Sequence, residues 1–157
     1  MPTAHLICGY IGSGKTTFAR QLEADTGARR FTHDEWMVRR YGANPPADRF
    51  QQYYQEVSED IWREALALLA GGQDIILDFG FWKRADRDAA RERLSSYDVK
   101  FYVVVCDLET SWSRVQERNR NLGSEYLLIE RNTFEILLKQ VDPIGQDEDV
   151  MLVDSTA

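Results

Sequence analysis

At 157 residues the chain is long enough for one domain that buries about 70% of its extended-chain surface, and no Pro/Gly/Ser-rich linker marks a second, so residues 1–157 are expected to form a single unit. Acidic residues outnumber basic ones 26 to 19, giving a net charge of −7 with no block of like charge, which makes nucleic acid an unlikely partner. No apolar run approaches the ~18 residues of a membrane span, and Met1-Pro2-Thr3 enters an apolar run without a charged leader, so a cytosolic protein with no membrane partner is expected.

The first strand is predicted over residues 4–9, with His5 a packed core histidine. It runs into Gly9-Tyr10-Ile11-Gly12-Ser13-Gly14-Lys15-Thr16, a GxxxxGKT phosphate loop followed by Thr17. Glycines let successive N–H groups point inward at the start of a helix, where the dipole also favours an anion. Lys15 can reach the β- and γ-phosphates of a nucleoside triphosphate, and the Thr16 hydroxyl can join the shell of Mg²⁺.

A second strand over residues 29–33 ends at His33-Asp34. A carboxylate at the carboxyl edge of the sheet faces the γ-phosphate and can take the proton of an attacking hydroxyl, worth typically ~10²–10⁴-fold. Capping of the next helix is the ordinary alternative for Asp34, and His33 either orients Asp34 or packs at the strand edge. The insertion of about 34–71 carries Trp36, Tyr41, Phe50, Tyr53, Tyr54 and Trp62, and a long amphipathic helix over 48–70 with Val57, Ile61 and Ala65 on one face. Several of these rings belong to the core. Any that line the cleft, Tyr54 first, select a flat or ring-shaped acceptor.

A third strand over residues 73–79 contains Asp78, which suits a metal-holding aspartate, an acceptor contact or a helix cap. Trp82 and Arg84 follow it as candidate acceptor-binding residues. Arg84, Arg87 and Arg91 recur at i, i+3 and i+7, a face that either grips an anionic acceptor or forms a salt-bridged helix with Asp86, Asp88 and Glu92. After a nearly all-apolar fourth strand over 99–106, Arg114, Arg118 and Arg120 form a lid-like cluster, with a lid at about 118–125. An arginine there can stabilise the charge that develops in phosphoryl transfer by about 10³–10⁵ in rate, stack on adenine, or simply end a solvated helix. A helix over 127–138 and a fifth strand over 149–153 complete the chain. Cys8 and Cys106 read as small buried residues in reduced form, and there is no Cys/His metal constellation. Alternating strands and helices imply an open α/β sandwich with ligands at the carboxyl ends of parallel strands.

The phosphate loop, Asp34 after the second strand, Leu77-Asp78-Phe79-Gly80-Phe81-Trp82 after the third and Arg114-x-x-x-Arg118-Asn119 after the fourth resemble the small AAA-type P-loop kinases, a group similar to chloramphenicol phosphotransferase, zeta-toxin kinases and polynucleotide-kinase domains. The resemblance covers essentially the whole chain and implies a three-layer P-loop NTPase sandwich, a five-stranded parallel sheet of order 2-3-1-4-5 with a short lid, and ATP with Mg²⁺ as cofactors. It also implies Asp34 as base, Lys15 and Thr16 on the nucleotide and metal, and Arg118 with Arg114 or Arg120 over the transferring phosphate. Two features depart from the pattern: His33 stands where a small serine is frequent, and the segment after Arg118 is short.

The leading expectation is a kinase that phosphorylates a hydroxyl of a small molecule, against a polynucleotide-end kinase or a non-catalytic ATP-binding module. A GTPase switch is disfavoured, because the chain has no Asn/Thr-Lys-x-Asp element and Asp78-Phe79-Gly80 lacks the Asp-x-x-Gly spacing. The sequence names no acceptor and fixes neither ATP over GTP nor the oligomeric state.

Overall fold

A computed structural model of the chain describes residues 1–121 and 128–156. Its elements run β1 (Thr3–Cys8), α1 (Lys15–Thr26), β2 (Arg29–Phe31), α2 (His33–Tyr41), α3 (Phe50–Ala70), β3 (Ile75–Gly80), α4 (Arg84–Arg93), β4 (Asp98–Val105), α5 (Leu108–Arg120), α6 (Arg131–Leu138) and β5 (Met151–Asp154). The strands of the described residues form one parallel sheet of order β2-β3-β1-β4-β5, as the resemblance implied. β1 lies at its centre between β3 and β4, which is why its residues are almost all apolar.

The two-residue period of the strands sorts side chains between two cores. Leu6, Cys8, Leu77 and Phe101 face α2, α3 and α4, where Met37, Val57, Ile61, Ala65, Leu69 and Ala90 meet them. Ile7, Ile76, Tyr102 and Val104 face the opposite way, onto Ala19 of α1. His5 is a core histidine on that second face, its Nδ1 3.0 Å from the Tyr102 hydroxyl.

Differences from the sequence reading fall at element ends. β2 stops at Phe31, and His33 opens α2 after an extended Thr32. Gln73 and Asp74 precede β3 and tie strand ends together: the Asp74 carboxylate accepts from the Thr3 N–H at 2.7 Å, and the Gln73 amide donates to the Gly27 carbonyl at 3.1 Å. Cys106 lies just beyond β4 and is half-buried rather than a core residue. Of the expected lid, residues 118–120 are the end of α5, and 122–125 lie outside the described residues, as does Leu127, where the late helix was expected to begin.

One irregularity shapes the site. Opposite β1, β3 carries an extra residue, so that Ile7 pairs with Asp78 but Cys8 with Gly80. Gly80 at φ 83 and Phe81 at φ 48 then turn the chain sharply, a conformation rare for a phenylalanine. Any side chain at Gly80 would press on the Trp82 indole, its Cβ 2.9 Å from Nε1.

Candidate active site

The phosphate loop bridges β1 and α1, at the carboxyl edge of the sheet. α1 starts at Lys15 behind a left-handed Gly14 (φ 104), with no side-chain cap and no acid in its first turn, which includes Thr16 and the exposed Thr17. The helices α2, α4 and α5 each place an acid in that turn. The N–H groups that a helix start leaves without partners therefore stand ready for an anion at α1.

Backbone and side-chain bonds fix the loop from three directions. Gly9 donates to the Gly80 carbonyl at 3.0 Å and accepts from the Trp82 indole N–H at 2.8 Å. The Tyr10 hydroxyl accepts from the Cys106 N–H at 3.0 Å, and Ser13 N–H closes a turn on the Tyr10 carbonyl at 3.1 Å, with the half-buried Ile11 between them. Gly12, at φ 75, lies so close to the Ser111 carbonyl that a Cβ would collide with it. From the third side, Ser155 beyond β5 donates its hydroxyl to the Ser13 carbonyl.

Four charged side chains converge on the mouth of this loop. The Thr16 hydroxyl donates to Asp78 Oδ2 at 3.2 Å, while Asp78 Oδ1 is buried with no hydrogen-bond partner. Burial raises the pKa of Asp78, opposed by Lys15, the Thr16 bond, Arg30 and Arg118. A buried carboxylate oxygen without a donor beside a hydroxyl suits a hard cation, and Thr16 with Asp78 fits Mg²⁺, which takes one or two protein ligands and completes its shell with phosphate and water. Among the described residues no group of three or more His, Cys, Asp or Glu could hold a metal.

Asp34 lies in the first turn of α2, half-buried. Burial raises its pKa and Asp78 adds to the effect, while Lys15 and Arg118 oppose it. No side chain caps α2, so the capping alternative for Asp34 is not what the structure uses. Its neighbour Glu35 turns away to Arg30 at 2.9 Å. Lys15 and Arg118 thus act on both carboxylates.

Several expected site residues are engaged elsewhere. Arg114 donates to the Gly12 carbonyl at 3.3 Å and to the Ser155 hydroxyl and carbonyl at 3.0 and 2.6 Å, stitching the phosphate loop to the end of β5. Arg120 is exposed and paired with Glu117 at 2.6 Å. Arg84 is turned from acceptor binding by a bidentate pair with Asp147 at 3.0 and 2.7 Å, plus Asp88 at 3.0 Å. Arg87, fully buried, clasps Glu148 at 2.8 and 3.2 Å, and Arg91 reaches the same carboxylate at 2.8 Å. The arginine face of α4 is therefore a salt-bridged helix whose main partners lie some sixty residues away in sequence, where helical spacing could not reveal them. Trp82 spends its indole N–H on Gly9 and so supports the phosphate loop. Tyr54 stacks on His33, ring centroids 4.3 Å apart, with its hydroxyl under the influence of Asp34, Asp86 and Asp78. Ser155 carried no local signal in the sequence.

The AAA domain family matches residues 5–143. No curated protein matches the chain. Among solved structures, a kinase candidate from Chloroflexus aurantiacus superposes with a TM-score of 0.76 at 17% identity, over 99% of this chain and 89% of its own. A sugar kinase from Janibacter sp. gives 0.66 at 20% identity, over 98% and 86%. A chain of the Pnkp1/Rnl/Hen1 RNA repair complex gives 0.72 at 20% identity, over 88% of this chain and 43% of that one. At these identities the likeness is one of fold, whereas the family match spans the phosphate loop, both aspartates and the α5 arginines, and the chain belongs to the AAA domain family.

Proposed function

We propose that the protein is an ATP-dependent phosphotransferase that moves the γ-phosphate of ATP to a hydroxyl of a small molecule. The observation that supports this most is the pair of carboxylates with different surroundings: Asp78 bonded to Thr16 beneath the phosphate loop, and Asp34 left without a capping role beside the same cations, Lys15 and Arg118. In this reading the backbone N–H groups of Gly12 and of residues 14–16, with Lys15, hold the phosphates. Thr16 and Asp78 would hold Mg²⁺, which would supply charge neutralisation to the phosphates. Asp34 accepts the proton of the acceptor hydroxyl as its oxygen bonds to the γ-phosphorus; the bond from that phosphorus to the β,γ-bridging oxygen breaks, and ADP leaves. Lys15 and Arg118 balance the charge on the transferring group.

A kinase of nucleic-acid ends would share all of these steps, and likeness in fold to a chain of the RNA repair complex keeps it as the second reading. The test is transfer of labelled γ-phosphate from ATP into separate pools of uncharged ring alcohols, amino sugars and 5′-hydroxyl oligonucleotides, with Asp34→Asn in parallel. Label in an alcohol pool from the wild type alone supports the proposal. Label in the oligonucleotide alone supports the second reading, and ATP binding without any label points to a non-catalytic module.

A further inference from the structure

Resting on the kinase reading above, we infer that His33, together with Tyr54 and Phe79, forms the acceptor subsite and that the subsite takes an uncharged, ring-bearing alcohol. His33 is 5% exposed, and neither ring nitrogen has a hydrogen-bond partner. Buried polar groups are nearly always satisfied, and those that are not call for an explanation. A phenylalanine would fill this place without stranding two nitrogens. The imidazole is one ring in a short column: Phe50, 36% exposed, lies 5.9 Å from Tyr54, Tyr54 stacks on His33 at 4.3 Å and 9°, and Phe79 meets His33 edge-on at 4.2 Å. The column runs from solvent to the residue next to Asp34. An acceptor group that meets the imidazole edge, in the plane of the ring, supplies the missing hydrogen bonds while Tyr54 keeps its face, and sets a hydroxyl beside Asp34.

The charge around the column selects the class. Burial pushes the His33 pKa down to about 3, so the ring is neutral, with one N–H donor and one acceptor nitrogen, a match for a hydroxyl or amide. The carboxylates of Asp34, Asp86 and Asp78 all act on the Tyr54 hydroxyl and oppose an anion. The α4 guanidiniums that could have offset them are bound to Asp88, Asp147 and Glu148, and the two cations that do act on Asp34 and Asp78, Lys15 and Arg118, are those the kinase reading gives to the phosphates of ATP.

Two histidines are present in the chain, so imidazole NMR reads His33 with His5 as an internal control. The full chain, saturated with a non-hydrolysable ATP analogue, is titrated with adenosine, glucose and chloramphenicol, and separately with gluconate and a 5′-hydroxyl oligonucleotide. The His33 signals are expected to move with at least one uncharged compound and with neither anion. His33→Phe should weaken that binding about tenfold or more while raising the Tm by about 2–4 °C, since two stranded nitrogens are removed, and His33→Gln should retain most of the affinity. Signals unmoved by every uncharged compound, signals moved only by anions, or a lower Tm for His33→Phe overturns the inference. Phosphate transfer measured on the same samples separates the two readings: a moved His33 without transfer leaves a ligand subsite and removes the kinase, whereas transfer with an unmoved His33 keeps the kinase and removes the subsite.

Discussion

Asp34 follows β2 and Asp78 lies within the neighbouring β3, and burial raises the pKa of both, yet their contacts divide the work. Asp78 is tied to Thr16, and its second oxygen has no donor; Asp34 has no capping role. Asp34→Asn is expected to lower phosphate transfer by about 10²–10⁴ with ATP affinity unchanged, measured by single-turnover kinetics beside equilibrium binding. Because its pKa stands above the ordinary 3.8, the acid limb of the wild-type rate profile should lie above that value, with transfer lost as pH falls and Asp34 gains a proton. Asp78→Asn should instead raise the Mg²⁺ concentration needed for half-maximal rate, read from a metal titration. These residues were legible in the sequence because phosphate chemistry is local to a loop and two strand ends. Arg84 was not, because its partner Asp147 lies 63 residues away.

At the scale of elements, the phosphate loop is held by the bulged end of β3, by Tyr10 against the end of β4, and by Arg114 with Ser155 beyond β5. Gly12→Ala adds a Cβ in a left-handed conformation against the Ser111 carbonyl, and should impair ATP binding while the rest of the fold persists by circular dichroism. The second device is the clasp of α4 on residues 142–148. Removing one partner of a buried ion pair costs about 3–5 kcal/mol, so Arg87→Met should lower urea-unfolding stability by that order, and Arg87→Met with Glu148→Leu should recover much of it. Burial alone would push the Glu148 pKa up, but hydrogen bonds from Arg87, the Gly145 N–H and Arg91 outweigh it and hold the carboxyl at about 2. A depressed folded pKa stabilises above the ordinary 4.5, so this contribution should vanish as pH falls from about 4.5 to about 2, a slope that the double variant lacks. The clasp lay beyond sequence reading because periodicity reports which residues share a face and is silent on which distant segment covers it.

For the whole molecule, the two-sided core was legible because alternating apolar runs and amphipathic helices require a parallel sheet covered on both faces, whereas the strand order followed from the resemblance that the phosphate loop carries. The helix over 48–70 shows this well: Val57, Ile61, Ala65 and Leu69 are all buried, as its spacing required. Among the described residues no helix is long and apolar enough to cross a membrane. With a net charge of −7, the affinity for an uncharged acceptor should change little between about 50 and 200 mM salt, whereas a protein making many phosphate contacts loses about 10³–10⁵ over that range. The central claim, transfer of phosphate from ATP to an alcohol with Asp34 as base, is tested most directly by following ATP labelled in turn at the γ- and α-phosphorus in the presence of the alcohol pools. The account predicts that γ-label alone appears in an alcohol ester, and that Asp34→Asn abolishes it. Label confined to inorganic phosphate, at the same rate in both proteins, would contradict it.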